Sequence, residues 1–127
     1  MRKKTLTILA VLLVLAVLCT AEQIIVFKLT DRALEDTRKL TQLIAAGELA
    51  KAKEKTHALD KAWDDHAKRL EMIVDHRSTD DVRYALSKLL AALKGQDAAS
   101  ALIYAGELEG GIEHVYERQA LTVENIF

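Results

Sequence analysis

The sequence predicts an all-α protein: an N-terminal membrane helix followed by an antiparallel bundle of about four helices, arranged as two helical hairpins. Three observations carry this. The 127 residues contain no proline and only five glycines, so little in the chain breaks a helix. Half of the residues are hydrophobic but only 5% are aromatic, the apolar share being mainly Ala, Leu, Ile and Val. Beyond a charge-free N-terminal run, apolar residues recur at alternating steps of three and four, the period of one helix face. No stretch alternates with the period of a strand.

The N-terminal helix comes first. Met1-Arg2-Lys3-Lys4 precedes a run from Thr5 to Ala21 without a charge. At 1.5 Å per residue that run spans about 25 Å, slightly short of a bilayer core. Counting on through Ile24-Ile25-Val26-Phe27 gives about 34 Å with one acid, Glu22, near its end. The reading adopted is an uncleaved anchor over residues 1–27 and an extracytoplasmic helical domain over residues 28–127. Two alternatives stay open. One is a secretory signal cleaved near Ala21, with small residues at Cys19 and Ala21. The other is a lipoprotein signal, against which Leu18 stands where a small residue would precede the cysteine. All three leave the domain outside the cytoplasm, because the basic cluster precedes the apolar run.

Cys19 is the only cysteine, so there is no internal disulfide and no CxxC spacing for zinc or haem. The formal net charge is -1, which gives no electrostatic footprint for nucleic acid. Without Arg2, Lys3, Lys4 and Glu22 the rest carries 15 basic and 18 acidic residues, a mixed and mildly acidic surface.

The first bundle helix runs from about Lys28 to Ala46, with Leu29, Ala33, Leu40 and Leu43 among its apolar positions and Thr30-Asp31 as a capping pair. With no loop residues before it, it can also continue the membrane helix outward. Gly47 marks a turn. The second helix carries the clearest stripe: Leu49, Ala52, Thr56, Leu59, Trp63, His66, Leu70 and Ile73, a coiled-coil-like pattern over about three heptads. It ends near Asp75, and Ser78 or Thr79 is expected to cap the third helix. That helix carries Val82, Leu86, Leu89 and Leu93 and stops at Gly95. In the fourth, Ala98, Ala101, Ala105, Leu108, Ile112 and Val115 keep the rhythm. Gly110-Gly111 interrupts it at about 1 kcal/mol per glycine, which a kink or a close helix contact would offset. Gly47 to Ala52 resembles Gly95 to Ser100, a faint repeat of two hairpins roughly 48 residues apart.

Chemistry-bearing residues are few. His66 lies on the apolar stripe between Trp63 and Leu70 and reads as a hydrogen-bonded core histidine. Trp63 reads as a core anchor, and Tyr84, Tyr104 and Tyr116 as residues of the polar boundary. His57, Asp60 and Asp64 share one helix face, where Lys53 and Lys61 oppose a cation, so this is a solvated face. The turn from Asp75 to Asp81 is the densest polar cluster. If Glu113 and His114 approach it, then His76, Asp80, Asp81, Glu113 and His114 form a candidate zinc shell. The competing reading gives Asp80 and Asp81 to the dipole of the third helix, with His76 capping the second. No GxSxG, P-loop, HExxH or GxGxxG occurs, so no catalytic residue and no enzyme is expected.

The chain resembles a family of small bacterial proteins, the domain of unknown function numbered forty-three sixty-three. The residues that carry the likeness are the basic-then-apolar start, KAWDDH around Trp63, Ile73 to His76, Asp80-Asp81-Val82, Ile112 to His114, and the closing ERQALTVENIF. The chain lacks the proline expected after His114, and Gly110-Gly111 departs from an unbroken helix. The resemblance implies a single-span, outward-facing helical domain without an established activity, and it contributes no catalytic residue.

Together these point to a structural or protein-interaction role at the cell envelope. The membrane and a protein partner or second copy are the expected partners, with no cofactor, nucleic acid or small-molecule substrate. The alternative is a divalent-metal-responsive module using His76 and His114 with neighbouring acids. At the C-terminus, Ile126 and Phe127 are expected to dock on the bundle, each gaining on the order of 1.5–3 kcal/mol; the alternative presents the terminal carboxylate to a partner.

Overall fold

The computed structural model describes residues 1–72 and 74–126, the side chains of Val123 and Ile126 excepted. Four helices follow one another: α1 Arg2–Ala45, α2 Leu49–Leu70, α3 His76–Lys94 and α4 Ala98–Ile126. Packing joins α1 to α2, α2 to α3, α3 to α4 and α4 back to α1, an up-down bundle closed in a ring.

The apolar N-terminal segment and the first bundle helix are one piece. Nothing between Ala21 and Thr30 breaks a helix, so 44 residues run without interruption. The N-terminal part is long and apolar enough to cross a membrane, and none of that stretch is buried in the bundle. Thr30-Asp31 is therefore not a cap. Thr30 is buried at mid-helix, and its hydroxyl lies 3.0 Å from the Val26 carbonyl. No break marks the expected boundary between residues 27 and 28, and bundle contacts reach further back. Val26 is fully buried, Phe27 meets Tyr116 edge to face at 5.6 Å, and Glu22 pairs with Arg69 at 3.6 Å.

The predicted stripes form the core. Ala52, Leu59, Trp63, Leu70, Val82, Leu86, Leu89, Leu93, Ala105, Leu108, Ile112 and Val115 are buried, while Leu49, Leu43 and Tyr104 pack partly buried at its edge. Ile73 lies outside the described residues. Gly111 is a close contact: a Cβ there would stand 3.3 Å from Val82 Cγ2, so the glycine lets α4 approach α3. This, and not a helix break, offsets its cost.

The cap of α3 differs from expectation. Asp75 is extended (ψ 153°) and accepts the Ser78 backbone N–H at 3.1 Å, so Asp75 is the cap. Ser78 and Thr79 are buried inside the first turn. A carboxylate three residues before a free N–H competes better for it than a hydroxyl already committed to burial.

Both hairpin turns use the same device. Glu48 N–H reaches back to Leu43 O and Gly47 N–H to Ile44 O; Asp97 N–H reaches Ala92 O and Gln96 N–H reaches Leu93 O. The matching positions are thus Gly47 and Gln96, so the structural repeat is offset by one residue from the glycine alignment. Gly47 takes φ 78° freely, whereas Gln96 is forced to φ 54° and Gly95, at φ -80°, does not need to be glycine. Gln96→Gly is expected to stabilise the protein by about 1 kcal/mol, read as a rise in urea midpoint at constant slope.

Candidate functional site

At the α2–α3 end the polar residues do gather, but around an arginine. Arg83 Nη1 lies 2.9 Å from Asp80 and 3.2 Å from Glu71, and its Nε lies 3.4 Å from Asp64. Thr79 donates its hydroxyl to Glu71 or to the His76 carbonyl, and His76 Nδ1 stands 3.4 Å from the other Glu71 oxygen. Partial burial works to raise the Glu71 carboxyl. The Thr79 hydrogen bond and the charges of His76 and Arg83 outweigh it and hold the group below the usual carboxylate value. The Asp75 carboxyl is likewise held low, chiefly by the Ser78 N–H it accepts.

These pairings decide how the candidate zinc residues are used. His76 is the first residue of α3, not a cap on α2. Asp80 is spent on Arg83, Glu113 turns to Arg38 at 3.7 Å, and Asp81 and His114 are exposed. Among the described residues no three His, Cys, Asp or Glu side chains are placed to hold a metal ion. His57 is exposed and Asp64 faces Arg83, so that helix face is a solvated, ion-paired one.

A second cluster is buried. Thr30 Oγ1 lies 2.8 Å from His66 Nε2 and 2.8 Å from Gln119 Oε1, joining α1, α2 and α4. With Gln119 Oε1 facing the hydroxyl, Val26 O and Gln119 Oε1 compete for the one Thr30 proton, and the imidazole in this arrangement donates through Nε2–H. Its Nδ1 is then a bare acceptor, buried and without a partner among the described residues, and the Gln119 Nε2 donor is likewise unpartnered among them. Burial first, and the Arg69 charge second, lower the His66 pKa to about 4. Trp63 stacks edge-on against this ring at 5.4 Å and sends its indole N–H toward the Thr79 carbonyl at 3.4 Å. The expected roles of Trp63 and His66 as core residues agree with this placement. Thr30 and Gln119 were not expected as partners, although Gln119 continues the three-four stripe after Val115.

A family model described as "Domain of unknown function (DUF4363)" matches residues 22–126. The chain belongs to this family. No curated protein and no solved structure matches it. The DUF4363 region begins at Glu22, which is also where α1 first pairs with the bundle, through Arg69.

Within the DUF4363 domain one outward face stands apart. On α4, Ala99, Leu102, Ile103, Gly106 and Gly110 form an exposed strip without a charge, Ile103 being 63% exposed. Unlike Gly111, a Cβ at Gly106 or Gly110 would meet nothing within 4 Å. Ion pairs Lys88–Glu107 at 3.2 Å and Arg38–Glu109 at 3.1 Å border the strip on its two sides. Packing among the described residues thus gives no reason for these two helix-interior glycines. Ile126 and Phe127, the expected docking residues of the tail, have side chains outside those described.

Proposed function

We propose that this protein is a non-enzymatic interaction module, anchored in the cell membrane by α1 and holding its bundle outside the cytoplasm. The observation that carries the reading is the uncharged outer face of α4. Two glycines in the middle of a helix cost about 1 kcal/mol each, and among the described residues no intramolecular contact offsets them. A helix packed from outside would use the missing Cβ atoms for close approach, with Leu102 and Ile103 burying apolar surface beside them. The basic N-terminus followed by the apolar run supports the outward orientation.

A photo-crosslinking residue at Ile103, in cells, tests this. The expected result is a discrete crosslinked species that disappears in the Gly106→Leu background. Leucine at that exposed position favours the helix, so the loss cannot be ascribed to unfolding; thermal melting of the same variant should show equal or greater stability. An uncrosslinked monomer at every expression level would end the proposal.

A further inference from the structure

The bundle is joined to its membrane helix without a linker, and this fixes where its lower end lies. α2 runs antiparallel to α1, and its last turn reaches Glu22 through Arg69, at 3.6 Å. Glu22 is the first charged residue after the run that begins at Thr5. The chain then continues past Leu70 into the α2–α3 turn; with His66 level with Thr30, Glu71 and Met72 stand about level with Ile25 and Ile24, among the last apolar residues before Lys28. α4 heads the same way. Gln119 is level with Thr30, and seven further helical residues carry the backbone about 10 Å toward the same plane.

The side chains at this end suit a lipid boundary. Met72 is 87% exposed, the most exposed large apolar side chain after Met1 among the described residues, and Ile24, Ile25 and Leu121 on α1 and α4 are exposed as well. The opposite end, where the two hairpin turns at Ala46–Glu48 and Gly95–Asp97 lie, exposes no such side chain in those turns. In water a methionine held out at a turn tip gains nothing; in the headgroup–acyl boundary it removes most of its apolar surface from water. The charges nearby are compatible with headgroups. Glu71 and Asp75 are held by Thr79, His76, Arg83 and Ser78, whereas Lys68, Arg77 and Arg118 make no ion pair among the described residues. Glu117 and Glu124 on α4 are unpaired as well, so the surface is mixed in sign and attraction to anionic lipid is not the driving term.

We infer that the bundle is seated directly on the bilayer, with the α2–α3 turn inserted into the lipid interface through Met72 and the end of α4 lying beside it. This rests on the anchored reading above, and the test separates the two. The full chain, with Cys19→Ala, is placed in phosphatidylcholine vesicles carrying one nitroxide label at Met72→Cys, at Lys94→Cys on the far end, or at Leu12→Cys within the apolar run. Collision with oxygen, which concentrates in lipid, is compared with collision with a water-soluble nickel chelate. Seating predicts that the label at 72 favours oxygen several-fold relative to that at 94, and that adding anionic lipid leaves this ratio unchanged. If 12 reports lipid while 72 matches 94, the seating is wrong and the anchor stands. If 12 itself reports water, both are overturned.

Discussion

Acidification from pH 6.5 to about 4 is expected to remove roughly 2–3 kcal/mol of folding stability through His66 alone. In the folded protein the imidazole stays neutral down to about 4, because a proton on Nδ1 would create a buried cation with no acceptor. In the unfolded chain the same ring takes up its proton near 6.5. Between those values the unfolded state binds more protons, so stability is complete above pH 6.5 and falls as pH falls toward 4. Carboxylates held low in the fold, Glu71, Asp75 and Asp97, contribute their loss only further down, in the carboxylate range. Urea titrations at a series of pH values measure the slope directly. His66→Gln keeps a donor for Thr30 Oγ1 without a titrating ring and should flatten the curve above the carboxylate range. An unchanged slope in that variant would remove His66 as its source.

Trp63→Ala should be the most damaging single change in the bundle. The side chain is 1% exposed, reaches from α2 to the Thr79 carbonyl of α3, and lies edge-on to the His66 ring. Its removal costs about 3–5 kcal/mol through lost transfer energy and the cavity left behind. For a domain of about 100 residues each kcal/mol shifts Tm by about 4–8 °C, so a fall of roughly 12–40 °C is expected in a circular-dichroism melt. Trp63→Phe keeps most of the volume and loses the indole N–H to the Thr79 carbonyl, so it should cost clearly less. Similar costs for the two variants would show that the hydrogen bond, not the packing, dominates the site.

The contrast between legible and illegible features follows the range of the interactions. Leu59, Trp63, Leu70, Leu86, Leu108 and Ile112 could be assigned to the core from spacing, because burial of one helix face imposes a local period that burial cannot hide. Asp75 was missed as the cap because D-H-R-S-T offers three cap-forming candidates within five residues, and which one accepts the N–H depends on which are buried in the fold. The zinc shell failed as an arrangement for a related reason. Sequence proximity gathered acids and histidines at one end, but it could not show that Arg83 and Arg38, from α3 and α1, engage Asp80 and Glu113. Thr30 was misread as a helix start since a Thr-Asp pair signals a cap only where the preceding residues leave the helix, and here they do not.

By itself the sequence determined the helical class, the apolar N-terminal run, the stripes and the two turn positions, because each is dictated by composition or by a repeat no longer than a heptad. Only the tertiary structure decided what joins across the bundle. The Thr30–His66–Gln119 contact spans 36 and 89 residues of chain, the Arg69–Glu22 pair sets the level of the α2–α3 turn, and Gly111 meets Val82 while Gly106 and Gly110 meet nothing. The physical reason is that periodicity records which face of a helix is buried, whereas rotation and axial offset between helices record which residues on those faces meet. Those two quantities are fixed by packing the whole set of side chains at once, and no local pattern encodes them.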